Sequence, residues 1–162
     1  MPTTKIVTNY RVMIDLDIMQ MLNLGEQYSK EALRFTNDME YSPDRYVQCL
    51  INSLRDENQQ VFLALNKGLI VGGLWGIITG VAWSYDCIAE DLFLYILKEY
   101  RGYSIAKELV SMMEKWAIAC GAKAIHTGAN SGIYKDNPAI QLYKQLGYES
   151  GGFNFYKSLK EE

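Results

Sequence analysis

Hydrophobic residues recur along the chain at two different spacings, and the changes between them predict the order of helices and strands. Two early segments carry apolar residues at helical spacing, namely Ile18, Met21, Leu22 and Tyr28, then Val47, Leu50, Ile51 and Leu54. Asp15 or Asp17 is placed to cap the first helix, and Ser42 followed by Pro43 marks the start of the second. We therefore expect a short initial strand followed by two helices.

The middle of the chain changes to short, continuous apolar runs that are typical of buried strands. "QQVFLALNKGLIVGGLWGIITG" contains two such runs separated by an Asn66-Lys67-Gly68 turn, and "CIAEDLFLYILKEY" supplies a third. The second run carries four glycines, and glycine within a strand marks a bulge or a close approach by another group. A hairpin and a further strand are predicted here.

Helical spacing returns after Ser104 and persists as far as Gly121, which is a plausible helix stop. "KAIHTG" then reads as a short strand, and a helix beginning at Asn137-Pro138 ends at Gly147. "YESGGFNFYKSL" is predicted to close the chain as a hairpin around two glycines. Strands that first form hairpins and later alternate with helices predict a mixed sheet with helices on both faces.

Composition favours one globular domain over residues 1–162, with a formal net charge of −3. The chain has no block of lysine and arginine, and its net charge is negative. Both features argue against nucleic acid as a partner. It has no secretory signal pattern and no apolar run of about 20 residues, so we expect a cytoplasmic protein without a membrane partner. Three widely spaced cysteines and a single histidine, His126, favour reduced thiols and no metal site.

The junction "LYILKEYRGYSIAKELV" passes from strand to helix within a few residues. A helix that begins so abruptly presents backbone N–H groups without intrahelical partners, and these form a site for phosphate. Arg101 adds a cation able to fork two phosphate oxygens, and Gly102 lets the backbone bend. Composition alone is equally compatible with a plain structural turn.

Part of this junction, "EYRGYSIAKELV", resembles the coenzyme A loop of the GNAT superfamily of N-acetyltransferases, whose pattern is Arg/Gln-x-x-Gly-x-Gly/Ala. Arg101 matches the first position and Ala106 the last, while Ser104 replaces the middle glycine. This departure puts a side chain where the family often has none.

Downstream, "NPAIQLYKQLGYES" resembles the second GNAT signature, Asn-x-x-Ala-x-x-x-Tyr-x-x-x-Gly-Phe. Ala139, Tyr143 and Gly147 match it at the required spacing, Asn137 lies one residue past the asparagine position, and Tyr148 stands in place of phenylalanine. Two motifs in the family order are more specific than either alone. The resemblance implies an α/β (α+β) GNAT-like fold, with a mixed central sheet of about 6–7 strands. The link "ANSGIYKD" is longer than the usual connection, which should reshape the acceptor side.

The resemblance implies direct transfer of an acetyl group from acetyl-CoA to a primary amine of a small molecule or protein, without a metal. Tyr95, Ile96 and Leu97 would bond the pantetheine arm, and Asn137 would also contact it. The phosphates would meet the backbone of Gly102, Tyr103, Ser104, Ile105 and Ala106 beside Arg101. Tyr143 would contact the coenzyme and protonate its departing thiolate. Dimers are common in the family, so a homodimer is an open alternative.

The amine must lose a proton, and the family often uses a carboxylate on its fourth strand. Glu90 and Asp91 are the candidates, on opposite faces of a regular strand, with Glu90 slightly preferred. Solvated strand-end charges are an equal alternative for both.

Four further residues suit ordinary structural roles at least as well as functional ones. They are His126 as a base, Trp75 and Trp83 as walls of an acceptor pocket, and Asp86 as a recognition charge. Two other functions stay open: a coenzyme-binding module that no longer catalyses, and an enzyme that modifies a nucleic-acid base.

Overall fold

The computed structural model describes residues 9–32, 38–102, 104–129, 138–152 and 155–160. Its strands are β1 (Asn9–Val12), β2 (Gln59–Asn66), β3 (Leu69–Val81), β4 (Ser84–Ile96) and β5 (Ile125–His126). Its helices are α1 (Ile18–Glu31), α2 (Pro43–Ser53), α3 (Ile105–Ala119) and α4 (Pro138–Gln145). Short 3-10 turns at Asp15–Asp17 and Lys98–Tyr100 precede α1 and α3. None of these helices has the length and apolar content needed to cross a bilayer.

The described strands form one mixed sheet in the order β1-β2-β3-β4-β5. The first four pair antiparallel, and β5 joins β4 in parallel after the α3 crossover. The predicted Asn66-Lys67-Gly68 turn does connect β2 to β3, where Lys67 and Gly68 have φ angles of 49° and 82°. Those left-handed angles suit a tight hairpin turn.

Helices cover both faces of the sheet, as predicted. A Cβ on Gly73 of β3 would lie 3.2 Å from Leu24 of α1, whereas one on Gly76 would lie 2.9 Å from Trp116 of α3. Because alternate strand residues point to opposite faces, α1 and α3 lie on opposite sides of β3. Gly73 and Gly76 therefore mark close approach by helices, which was one of the two predicted reasons for the strand glycines, whereas a Cβ on Gly80 would meet nothing within 4 Å.

Local capping signals agree with the sequence at one helix and differ at another. The Ser42 hydroxyl accepts a hydrogen bond from the Arg45 backbone N–H at 3.3 Å, and Pro43 opens α2 as predicted. Asp17 precedes α1, but its side chain does not cap that helix. Its carboxylate instead accepts two hydrogen bonds from Arg11, at 2.6 and 2.9 Å, and one from the Ile14 N–H. The two bonds from Arg11 form a bidentate, charge-assisted pair, so this carboxylate has its partners in the protein without capping α1.

The sheet has fewer strands in the described residues than the six or seven expected. The predicted C-terminal hairpin is the difference, because residues 148–152 and 155–160 contain no strand. β5 is only two residues long, so it offers little edge for a further strand to pair with.

Candidate active site

The edge of β4 that faces β5 is paired over a very short length. β5 pairs only with Ala89 and Glu90, so in the described residues the part of β4 beyond them pairs with β3 alone. The β3 register also shifts here, since Trp75 lies opposite Phe93 while Gly76 lies opposite Asp91. Leu92 is thus an extra residue, and a bulge of this kind bends the strand and leaves the bulged residue unpaired in the ladder. An extended ligand arm could pair with this edge.

The backbone at the end of this edge is partly engaged within the protein. The Leu97 N–H donates to the Val71 carbonyl at 2.9 Å, and the Ile96 carbonyl accepts from the Arg101 Nε at 2.8 Å. Tyr95 is buried, and its hydroxyl donates to Glu31. Two of the predicted backbone contacts of a coenzyme arm, at Ile96 and Leu97, are therefore made by protein groups.

The start of α3 has the geometry expected of a phosphate site. Gly102 has a φ angle of 85°, and a Cβ there would meet nothing within 4 Å. Ser104 precedes the helix and makes no side-chain cap, so its hydroxyl does not occupy the backbone N–H groups of the first turn, where Ile105 and Ala106 lie. Such N–H groups and the helix dipole favour an anion. The described residues here fit coenzyme phosphates.

Arg101 does not point an open guanidinium at this junction. Its Nη1 and Nη2 donate to the two carboxylate oxygens of Glu31, both at 2.9 Å, and its guanidinium lies 5.2 Å from the centre of the Tyr95 ring. Burial raises the pKa of Glu31, but the hydrogen bonds from Arg101 and Tyr95 outweigh it and hold that pKa below its usual range. The expected fork on phosphate oxygens is occupied by a carboxylate, which fixes the loop to the end of α1.

Tyr143 lies in α4 close to the carboxyl of Asp91. Its side chain is buried, and burial, followed by the nearby charge of Asp91, raises the pKa of the phenol. The pKa of Asp91 is raised chiefly by burial, with a smaller contribution from Glu90. A phenol that stays protonated thus lies within electrostatic reach of a carboxyl with increased basicity, which suits an acid and base pair.

Thr127 joins this group from the residue after β5. Its hydroxyl lowers the pKa of both Asp91 and Tyr143, so it lies next to each. The Thr127 hydroxyl oxygen is buried and makes no hydrogen bond of normal geometry to any described residue. It is therefore adjacent to both groups without being hydrogen-bonded to either. Sequence analysis did not single out Thr127. The alternation of side chains along a strand would have placed it on the face of the sheet opposite to that of His126.

Other candidates lie in different surroundings. Glu90 accepts a hydrogen bond from the Thr79 hydroxyl at 3.2 Å and pairs in register with the exposed His126. Trp83 is 86% exposed in the β3–β4 turn, and the Asp86 carboxylate accepts from the Ser84 hydroxyl at the exposed start of β4. Tyr103, Asn137 and most of the long link before α4 lie outside the described residues.

A cavity of about 630 Å³ opens between α1, α2 and β4. Trp75 is one of its walls, and Leu92 and Phe93 of the β4 bulge border it directly after Asp91. Tyr28 also lines it, and the charge of Asp91 contributes to the raised pKa of the Tyr28 phenol after the larger effect of burial. The cavity therefore reaches the neighbourhood of the acid and base pair, within the size range of small-molecule sites.

Comparison with known proteins agrees with these features. The family model described as the acetyltransferase (GNAT) family matches residues 24–148. No protein of curated function matches the chain.

Similar solved structures share the fold. They include a transcriptional regulator from Bacillus halodurans C-125, at 22% identity and a TM-score of 0.74 over 94% of this chain and 99% of that one. AAC(6')-Iy, in complex with the bisubstrate analog CoA-S-monomethyl-acetylneamine, has 15% identity and a TM-score of 0.73 over 94% and 97%. A ribosomal-protein-alanine N-acetyltransferase from Brucella melitensis biovar Abortus 2308 has 16% identity and a TM-score of 0.70 over 93% and 99%.

The family match covers both motifs, the bulged β4 edge and the α3 junction that together form the site. The chain belongs to the GNAT family of acetyltransferases.

Proposed function

We propose that this protein transfers an acetyl group from acetyl-CoA to a primary amine by direct attack within a ternary complex. The observation that carries the proposal is that the charge of Asp91 reaches Tyr143 beside the edge of β4 with which no strand pairs, in the described part of the chain, beyond Glu90. A cavity on one side and a phosphate-binding helix start on the other give each reactant its own place. Holding both reactants in line supplies much of the rate acceleration.

In this proposal the pantetheine arm pairs with β4 between Asp91 and Tyr95, and the phosphates meet the N–H groups of the first turn of α3. The Ile96 and Leu97 positions border the arm, while Arg101 shapes the loop through Glu31. Notably, one similar structure, AAC(6')-Iy, was solved with a coenzyme A bisubstrate analog. The fold is therefore one that accepts such a ligand.

The chemical step balances with three proton transfers. Asp91 accepts a proton from the ammonium, directly or through water, and the resulting amine nitrogen forms a bond to the thioester carbonyl carbon. The carbon–sulfur bond breaks, and Tyr143 protonates the departing thiolate. The second proton of the nitrogen then returns to the Tyr143 phenolate, which leaves a neutral amide and the phenol restored. We assign the base to Asp91 in preference to Glu90, because Asp91 has the raised pKa and lies beside Tyr143. No covalent bond to the protein is formed.

The test is a thiol-release assay with acetyl-CoA and a panel of primary amines, run alongside thermal-shift titrations with coenzyme A. Direct transfer predicts thiol release that depends on the amine, with initial-rate lines that intersect when both substrates are varied. Parallel lines would indicate a covalent intermediate and contradict the mechanism. Coenzyme A binding without thiol release across the panel would show a silent binding module instead.

A further inference from the structure

The acceptor-side cavity is walled by an unbroken series of aromatic rings. Tyr41, Tyr46, Trp75, Phe93 and Tyr28 follow one another with centroid separations of 6.1, 6.5, 6.4 and 5.6 Å. All five residues line the cavity, and they come from α1, α2, β3, β4 and the segment before α2. Five separate parts of the chain thus converge on one aromatic surface, and an apolar body can be buried against it.

The same walls carry little charge. Among the described lining residues only Glu40 and Arg45 carry acidic or basic side chains of opposite sign, and both residues are exposed. Their opposite charges cancel. Gln59, the amide beside the central ring, accepts from the Trp75 Nε1 at 3.1 Å and donates to Asp56 at 2.8 Å. The described walls therefore offer no group of carboxylates that could hold several ammonium groups at once.

The two ends of the cavity differ in their surroundings. Tyr28 and Phe93 lie at the end where the charge of Asp91 is felt, and Tyr41 lies at the other end of the ring series. An amine at the Tyr28 end would meet the base, and the rest of the molecule would extend over Trp75 and Tyr46. A single ammonium group approaching aromatic faces is also favoured by cation–π attraction.

We propose that the acceptor is a monoamine, namely a primary amine on an apolar alkyl or arylalkyl body, and not a polycation. This inference rests on the proposed acetyl transfer and adds its substrate class. Recognition by burial makes affinity depend on the apolar area of the acceptor, whereas recognition of a polycation would depend on charge and would be screened by salt.

The first experiment compares defined probe amines in the thiol-release assay. Along the series from butylamine to hexylamine, we expect kcat/KM to rise by roughly fourfold per methylene, the fold-change equivalent to ~0.8 kcal/mol per buried CH₂. Phenethylamine should be a better acceptor than spermine or kanamycin, and its KM should change little between low and high salt. Preference for spermine or kanamycin, with a KM that rises steeply with salt, would overturn the inference.

A matched pair of variants tests the location. Tyr41→Leu removes the half-buried ring at the outer end of the cavity, and we expect a severalfold higher KM for phenethylamine with an unchanged KM for acetyl-CoA. Trp83→Leu removes an exposed ring outside the cavity and should change neither. Equal KM values for phenethylamine in Tyr41→Leu and in the unaltered protein would remove the cavity from acceptor binding.

The outcomes separate the inference from the function on which it rests. Thiol release with polyamines alone would leave acetyl transfer intact and refute the monoamine class. Coenzyme A stabilisation without thiol release for any probe amine would refute the proposed function, and the inference would be refuted with it.

Discussion

Burial raises the pKa of two ionisable residues at the candidate site, Tyr143 of α4 and Asp91 of β4. It raises the pKa of the Tyr143 phenol, which keeps its proton available for a leaving group. It also raises the pKa of the Asp91 carboxyl, which makes that group a stronger base than an exposed aspartate. One physical cause therefore suits both residues to the acid and base roles that we propose for them.

Replacing Tyr143 with phenylalanine should separate proton donation from coenzyme binding. We expect turnover to fall by about 10²-fold or more, because a general acid contributes roughly 10²–10⁴-fold. Thermal stabilisation by coenzyme A should be nearly unchanged.

The control for this change is Tyr148→Phe. It removes a hydroxyl whose bond goes to Glu114 while keeping a ring centred 5.2 Å from that of Tyr143. Turnover in Tyr143→Phe that matched this control would exclude Tyr143 as the acid.

Asp91→Asn should change the pH dependence of both rate and stability. In the unaltered protein kcat/KM should rise as Asp91 loses its proton, at a higher pH than for an ordinary aspartate. Because the folded state holds this proton more tightly than the unfolded state, stability should fall as pH rises from the ordinary pKa of aspartate through the raised one. In Asp91→Asn, both the rise of kcat/KM with pH and that decline in stability should be absent.

Glu90→Gln provides the comparison for this prediction. If Asp91 is the base, kcat/KM of Glu90→Gln should rise with pH over the same range as in the unaltered protein. If this rise were absent in Glu90→Gln and present in Asp91→Asn, Glu90 would be the base.

The position of Tyr143 could be predicted from its motif, whereas the choice between the two carboxylates could not. A regular strand would place Glu90 and Asp91 on opposite faces, but Leu92 interrupts the register next to them. A bulge depends on pairing with β3, so nothing local to this stretch of sequence announces it. Thr127 enters the site through the β4–β5 pairing in the same way.

At the scale of elements, the link between α1 and the coenzyme loop is the contact that sequence could not reveal. Glu31 and Arg101 are separated by 70 residues, and only the folded sheet brings them together. By contrast, the Ser42-Pro43 start of α2 was predicted correctly, because a cap is made within three residues. Short-range signals such as a helix cap can be predicted from the sequence, whereas long-range ion pairs cannot.

Glu31→Gln should weaken this link. We expect a loss of about 1–3 kcal/mol in the free energy of unfolding, since hydrogen bonds to charged groups are involved, and a higher KM for acetyl-CoA. Because the folded-state pKa of Glu31 is lowered, its contribution is present above the ordinary glutamate pKa and is lost as pH falls through the lowered value.

Glu26→Gln is the matched change in the same helix. Its ion pair with Lys30 is exposed, so a loss of about 0.3–0.5 kcal/mol or less is expected, with no effect on the KM for acetyl-CoA. Identical denaturation curves for the two variants would contradict a bracing function for Glu31.

Gly25→Ala should destabilise the protein even though alanine favours helices. An added Cβ would lie 2.4 Å from the Tyr46 ring, which is flanked by Tyr41 and Trp75. Overpacking costs about 1–3 kcal/mol and exceeds a helix-propensity gain of about 1 kcal/mol. Asn23→Ala, at an exposed position of α1, should be neutral or slightly stabilising in the same denaturant titration. A stability gain in Gly25→Ala would show that α1 and α2 are not in contact there.

For the whole molecule, the sequence indicated the fold class because hydrophobic spacing and two ordered motifs agree with each other. It overestimated the number of strands, since the two-residue β5 gives a terminal hairpin little to pair with. The acceptor cavity was also beyond prediction, because its aromatic rings are contributed by five separate parts of the chain. Trp75 was the one wall that sequence had raised as a candidate.

The position of α1 has a consequence for how the two substrates affect each other. Tyr28 of this helix lines the acceptor cavity, and Glu31, three residues later, holds the coenzyme loop. A single rigid element therefore touches both halves of the site. If bound coenzyme A changes the affinity for phenethylamine by some factor, then bound phenethylamine must change the affinity for coenzyme A by the same factor, because the two binding equilibria are linked. We expect titrations of each ligand in the presence of the other to show tighter binding by equal factors, and Glu31→Gln to bring both factors towards one.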